Sequence, residues 1–275
     1  MSGPAEQFAR LVAEAGPIDL LEATAAIATD AYPVEELDRA CLQVRAWAER
    51  LAERVSPELS DSQKLRQLNR FFFDELRFRG NRIDYFDLDN NYLNRVVERR
   101  TGLPISLSVV YLILGRTLGL KLEGISFPRR FLVMLPATNE PTVIDVFEGG
   151  ITLTQEELRT RLMQAHGAEA GPLDSYLKPA SEREILARWL YNLKLLHQRS
   201  QDWSALLTVG HRLVALLPAA LDERIDRAAA YEQLECPRAA ADDLAWVLAH
   251  QLGRPDSAAL HERIVRLRAR AAKFN

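Results

Sequence analysis

Residues 92–135 read YLNRVVERRTGLPISLSVVYLILGRTLGLKLEGISFPRRFLVML, and VIDVFEGG follows at 143–150. Residues 105–118 are apolar on nearly every side, which predicts a helix that is buried all round, and Pro104 suits its first turn. Apolar runs broken by prolines then predict three strands. These strands are expected at 121–126, 131–135 and 142–146. A buried helix followed by a small sheet indicates the α+β fold class.

The segments on both sides of this core have helical patterns. Between residues 34 and 55, apolar side chains recur every three or four positions, which predicts a helix with one buried face. Beyond residue 180 the pattern is entirely helical, and the helix around Ala205 is matched by another around Ala240. A repeat of about 34 residues in helix–turn–helix units is typical of tetratricopeptide repeats. The predicted division is a core domain with N-terminal helices, a linker and a helical domain, at 1–170, 171–180 and 181–275.

The composition argues against several classes of protein. The 275 residues include 35 basic and 38 acidic side chains, a net charge of −3, so the chain is not a polycation built for nucleic acid. The two cysteines, Cys41 and Cys236, fit neither a metal-binding spacing nor a disulfide framework. The first residues lack the pattern of a signal peptide, and the longest apolar run is too short to cross a bilayer. We expect a cytoplasmic protein that has no membrane contact, cofactor or metal.

Four motifs together resemble the bacterial SirB1-like proteins. They are ERRTGLPISLSVVYLILGRTLGL at 98–120, GISFPRRFLVML at 124–135, IDVFEGG at 144–150 and WLYNLK at 189–194. The resemblance extends over residues 65–248. It implies a papain/transglutaminase-like core in which a buried helix packs on a small antiparallel sheet. N-terminal helices would precede this core, and an all-α, tetratricopeptide-like domain would follow it.

Active members of the superfamily use a Cys at the start of the buried helix, with a His and an Asp on the strands. Here the Cys position falls on Pro104, which has neither a nucleophile nor an N–H, and Ser106 is the nearest hydroxyl. Arg130 occupies the His position, where a guanidinium stays protonated and cannot accept a proton. Asp145 is retained, and all five histidines lie at residue 166 or beyond. We therefore expect a degenerate triad without catalytic activity.

Two interpretations of these positions remain open at the level of sequence. In the first, Arg130 and Asp145 form an ion pair where a His–Asp pair would otherwise stand, and the pair holds two strands together. In the second, Arg130 and Ser106 line a residual cleft that binds a carboxylate or the end of a peptide. The candidate binding residues at these positions are Ser106, Arg130 and Asp145.

The expected function is that of a non-catalytic adaptor or regulator that binds a protein or peptide. A helical repeat supplies a concave face for such a partner. Four polar residues among apolar helical neighbours are candidates for that face: Asn192, Lys194, His211 and Arg212. One alternative is a hydrolase or amide-transfer enzyme that uses Ser106 or Cys41 as an atypical nucleophile. Another is a nucleic-acid-associated regulator that uses the arginines of 61–130, but the sequence contains no recognisable nucleic-acid-reading motif.

Overall fold

The computed structural model describes residues 4–13, 16–137, 140–251 and 255–273. The chain divides into two compact units. One unit comprises Glu14–Trp189, and the other combines Met1–Ala13, which contains helix α1 (Pro4–Ala13), with Leu190–Asn275. In the described part of the chain, no helix is both long and apolar enough to span a membrane.

Helices form the first part of the Glu14–Trp189 unit. They are α2 (Leu20–Ala26), α3 (Val34–Arg54), α4 (Asp61–Asn69) with a π-helical turn at Arg70–Glu75, and α5 (Leu93–Arg99). The Asp19 side chain accepts a hydrogen bond from the Leu21 backbone N–H at 2.8 Å and so caps α2. Ser60 and Gln63 form a capping box at the start of α4. These caps fix where the helices begin, and the predicted helix over 34–55 is confirmed as α3.

Helix α6 (Pro104–Thr117) is the centre of this unit. Pro104 is its first residue, and every residue from there to Leu112 is buried. Gly115 has no room for a methyl group, because a Cβ there would lie 2.2 Å from the Leu122 side chain. The prediction of a helix buried on all sides is therefore confirmed.

The sheet of this unit has five antiparallel strands in the order β6-β5-β4-β3-β7. The strands are β3 (Glu123–Ile125), β4 (Leu132–Leu135), β5 (Thr142–Asp145), β6 (Ile151–Leu153) and β7 (Pro179–Ala180). Val133 pairs with Ile144 in the register of the central strands. A separate parallel pair joins β1 (Arg79–Gly80) to β2 (Thr101–Gly102). The three predicted strands are confirmed, and the fold class is α+β.

Helix α7 (Gln155–His166) packs on the sheet through Leu158 and Leu162, which share a buried apolar cluster with Ile125 and Leu132. Thr154 and Glu157 form a capping box at its start. Helix α6 packs against β3 and β4 as well. A buried helix on a small antiparallel sheet is the core that the family resemblance implied.

The segment predicted as a linker has a structural role instead. Its last two residues form β7, in which Ala180 pairs with Gly124 of β3. The division between the units falls later, within α8 (Glu182–Ser200). Sequence patterns did not predict β7, since a two-residue edge strand beside a proline has no alternating pattern to recognise.

The C-terminal unit is built from consecutive helices. They are the end of α8, then α9 (Trp203–Leu216), α10 (Leu221–Gln233), α11 (Pro237–His250) and α12 (Ser257–Ala271). Each of the last four packs on its neighbour in sequence, and α1 packs on α9. Small buried residues, including Ala228 and Ala240, lie in their shared apolar cluster. Helices α9 and α11 begin 34 positions apart, which agrees with the predicted repeat.

A hydrogen bond from Trp189 anchors the end of the Glu14–Trp189 unit, and a substitution can test it. The Trp189 ring is fully buried, and its Nε1 donates a 2.7 Å hydrogen bond to the buried carbonyl of Asn91. Trp189→Phe removes the donor and leaves that carbonyl unpaired, so the free energy of unfolding should fall by about 2 kcal/mol. Urea denaturation measures the loss, with Trp203→Phe at a half-buried tryptophan as the control. An unchanged midpoint for Trp189→Phe would contradict the assignment.

Candidate functional site

A cleft of about 620 Å³ lies where β4 begins and β5 ends. These strands are antiparallel, so the start of one and the end of the other lie at the same end of the sheet. The turn before β4, the segment after β5, the loop that follows β1 and helix α7 all contribute to it. Its lining comprises Arg82, Tyr85, Pro128, Arg129, Arg130, Phe147, Glu148, Arg161 and Gln164.

The turn that precedes β4 brings two arginines to the cleft. The Arg130 N–H donates to the Phe127 carbonyl at 3.1 Å and closes a four-residue turn with Pro128 in its second position. Arg129, in the third position, has a φ of 58°, the left-handed conformation that such a turn requires and that glycine adopts most easily. The Arg188 guanidinium donates to the same Phe127 carbonyl at 3.4 Å and supports the turn.

Arg130 does not form the predicted ion pair with Asp145. Its guanidinium instead contacts Glu148 at 3.1 Å and lies 4.9 Å from the centre of the Phe147 ring. Arg82 also pairs with Glu148, so two guanidiniums share one carboxylate. The prediction was wrong because it considered only residues at the triad positions, and Glu148 lies three residues after Asp145.

Asp145 is fully buried and has a different cation as its partner. Arg161 of α7 contacts its carboxylate at 2.5 Å, and the Glu148 backbone N–H donates to it at 3.2 Å. A buried carboxylate needs both a counter-charge and hydrogen bonds to offset its lost hydration. Helix α7 supplies the charge, and the turn after β5 supplies a backbone donor. The retained Asp therefore ties α7 to the sheet.

Ser106 does not line the cleft, in contrast to the sequence-based interpretation. It is fully buried, and its hydroxyl donates to the Asn90 carbonyl at 2.8 Å while accepting from the Leu103 N–H at 2.9 Å. A Cβ on Gly102 would lie 2.6 Å from its Oγ, so the surroundings are tightly packed. Pro104 is buried as well. The hydroxyl caps α6 and holds the preceding segment, a position without access for a substrate.

Cys41 is also enclosed. It lies on α3, where burial raises the pKa of its thiol to about 12, and the negative charge of Glu22 acts in the same direction. A high pKa disfavours the thiolate, which is the nucleophilic form. Cys41 is absent from the cleft lining. Among the residues with a described placement, no cluster of His, Cys, Asp and Glu side chains has an arrangement that could hold a metal ion.

Buried asparagines hold the loop that follows β1. The Asn81 side chain donates to that of Asn90 at 3.0 Å, and Asn90 donates to the Asp84 carbonyl at 2.8 Å. The same loop exposes apolar side chains: Ile83 is fully exposed and Phe86 is 56% exposed. Sequence reasoning did not single out this loop as a site. The run Ile83-Asp-Tyr-Phe86 was the available signal, since apolar residues in a loop without a buried face are unusual.

The four candidates in the C-terminal unit do not form an open binding face. Lys194 is bound by Glu223 and Asp226, each at 2.6 Å. Burial opposes the charge of Lys194, but its hydrogen bonds to the two carboxylates raise its pKa overall. Arg212 is 2% exposed, and Asn192 is half-buried. The His211 ring lies 3.2 Å from the Tyr231 hydroxyl. The prediction failed because a polar residue within a helical apolar pattern can pair inside the bundle.

The geometry of the core agrees with comparisons to known families. The profile of the transglutaminase-like superfamily matches residues 38–191, and that of the tetratricopeptide repeat matches residues 193–265. The fold and these matches together define a transglutaminase-like protein with tetratricopeptide helices.

Individual relatives narrow the family further. A UPF0162 protein of Xylella fastidiosa (strain Temecula1) is 36% identical over 230 residues, which are 82% of each chain. Protein SirB1 of Salmonella typhimurium is 28% identical over 195 residues, 70% of this chain and 72% of its own. F-box only protein 21 of Mus musculus is 42% identical over 87 residues, 32% of this chain and 14% of its own. No solved structure matches. The chain belongs to the SirB1-like family.

The Arg161–Asp145 pair gives a direct test of the site's architecture. Arg161→Met leaves the buried Asp145 carboxylate without its cation, so the free energy of unfolding should fall by about 3 kcal/mol. Arg159→Met on the same helix is the matched control, because Arg159 is exposed and its guanidinium donates a hydrogen bond to the side chain of Gln155. Urea denaturation compares the two variants. Adding Asp145→Asn to Arg161→Met should restore part of the loss, and equal losses for the two arginine variants would refute the assignment.

Proposed function

We propose that this protein is a non-catalytic, transglutaminase-like adaptor or regulator that binds another protein. The loss of catalysis is supported by the contacts that the side chains at the His and Asp positions of the triad make. Arg130 stands at the His position and donates to Glu148, and the Asp145 carboxylate is occupied by Arg161. A proton acceptor is needed to activate a nucleophile, and a guanidinium does not provide one.

The candidate nucleophiles support the same conclusion. The Ser106 hydroxyl is enclosed by its two backbone partners, and the Cys41 thiol is buried with a raised pKa. Neither residue belongs to the cleft lining. The alternative of a hydrolase or amide-transfer enzyme with an atypical nucleophile would need one of them to reach a substrate.

Protein binding is supported by the exposed loop at the edge of the cleft. Ile83 and Phe86 project their apolar side chains into solvent, while Arg82 and Tyr85 of the same loop line the cleft. Ile83 and Phe86 lie three positions apart in one loop, and exposed apolar patches on a folded protein mark interaction sites. Tetratricopeptide helices are also a fold class that binds peptides. We therefore expect a protein or peptide partner in the cytoplasm of a bacterium.

Thiol labelling separates the adaptor from a cysteine-dependent enzyme. At pH 8, iodoacetamide should modify the exposed Cys236 of the native protein and spare Cys41, because the raised pKa keeps Cys41 protonated. In a Cys236→Ser variant, mass spectrometry should detect label only after denaturation in urea. Rapid labelling of the native variant would show a reactive Cys41 and support the enzyme.

The exposed loop is tested by a pull-down with the full chain as bait. Ile83→Asp combined with Phe86→Asp should abolish recovery of the partner, because each substitution places a charge in an apolar contact. Leu42→Asp is the matched control, since Leu42 is 62% exposed on α3, away from the loop. Mass spectrometry identifies the prey. Equal recovery of the partner by the wild type, the double variant and the Leu42→Asp variant would contradict a role for this loop in binding.

A further inference from the structure

The cleft carries an excess of positive charge. Four arginines line it, namely Arg82, Arg129, Arg130 and Arg161. Only two carboxylates offset them: Glu148, shared by two of the arginines, and Asp145, which pairs with the fourth. Two positive charges therefore remain. A concave site with unbalanced charge of one sign attracts a ligand of the opposite sign.

Arg129 is the clearest source of this excess. Its side chain is exposed, and it has no ion-pair or hydrogen-bond partner within the described residues of the chain. Its backbone is left-handed, a conformation that costs a non-glycine residue stability. An arginine kept in a strained position and left unpaired indicates that its guanidinium is used for binding.

The walls of the cleft suit an organic group attached to the anion. The Phe147 ring forms part of the lining, and the Tyr85 ring lies 6.1 Å from it, edge to face. Pro128 adds a further apolar surface, and Gln164 adds an amide. A volume of about 620 Å³ is within the range of small-ligand sites, which combine apolar walls with a few charged groups.

We propose that this cleft binds a phosphate monoester whose organic group packs against Phe147. A phosphate monoester carries nearly two negative charges near neutral pH, which matches the two unbalanced guanidinium charges. Planar guanidiniums bind phosphate oxygens through paired N–H donors. The inference rests on the proposed function because it assumes that the cleft has no catalytic activity. A bound phosphate monoester would then stay intact.

Isothermal titration calorimetry with phenyl phosphate at pH 8 tests this proposal on the full chain. Phenyl phosphate should bind, and benzoate, with a single charge, should bind at least about tenfold more weakly. Arg129→Gly should weaken phenyl phosphate binding about tenfold, the effect of losing one charge-assisted hydrogen bond. The same variant should melt at a higher temperature than the wild type, because glycine relieves the left-handed strain. A variant that loses binding while gaining stability cannot have lost binding by misfolding.

Arg159→Gln is the matched control, since it removes one exposed positive charge from α7 outside the cleft lining. The affinity of this variant for phenyl phosphate should equal that of the wild type. Any of three results would overturn the proposal: no heat of binding for phenyl phosphate, equal binding by the Arg129→Gly variant, or equal affinity for benzoate. The labelling and pull-down results do not depend on this titration, so failure here leaves the adaptor role to be judged on its own tests.

The phosphate group could belong to a free small molecule or to a phosphorylated residue of the partner. A short peptide that contains phosphotyrosine distinguishes these sources in the same assay. Tighter binding by the peptide than by phenyl phosphate would assign the cleft to a phosphorylated partner. Equal or weaker binding by the peptide would assign it to a free phosphate monoester.

Discussion

The buried carboxylate of Asp145 is the constraint on which the arrangement of the cleft depends. A charged group with no exposure to solvent must have a counter-charge, and Arg161 of α7 provides it. This pairing fixes α7 against the end of β5. Arg130 is then left to pair with Glu148, which also binds Arg82. The buried charge of Asp145 is thus paired with Arg161, and the carboxylate of Glu148 binds the other two arginines.

A second set of contacts holds the start of α6 and the loop after β1 in the core. Ser106 joins the start of α6 to the Asn90 carbonyl, and Trp189 donates to the neighbouring Asn91 carbonyl. Asn81 holds the loop to the same segment. These polar contacts are buried, and each would leave an unpaired group if one partner were lost. This part of the buried polar network therefore serves packing.

The sequence predicted the main elements of the core because their signals are local. The apolar helix around Ile105 and the apolar runs of β3, β4 and β5 depend only on neighbouring residues. Four short strands were missed: β1, β2 and β7 contain two residues each, and β6 contains three. The family resemblance placed Arg130 and Asp145 in the correct region, and both lie at the cleft or next to it.

The partners of those side chains were beyond the reach of sequence reasoning. Arg161 lies 16 positions after Asp145, and nothing in a helical pattern shows which of its arginines faces inward. Ser106 was assigned to the cleft because it is the hydroxyl nearest the Cys position at Pro104, yet it lies in the interior, where it caps α6. Lys194 and Arg212 were assigned to an open face because they are polar residues among apolar helical neighbours, and both lie largely inside the bundle. Polarity identifies a residue that needs a partner, but it does not identify the partner.

Strand β7 also has a protective effect on the sheet. It covers the outer side of β3, whose backbone groups would otherwise be available to another chain. The polypeptide that supplies this cover comes from residues 179–180, immediately before α8. A chain that ended before residue 179 would lack β7. The backbone groups of β3 would then be exposed for pairing with a strand of another chain. The sheet takes its last strand from residues close to the end of the Glu14–Trp189 unit.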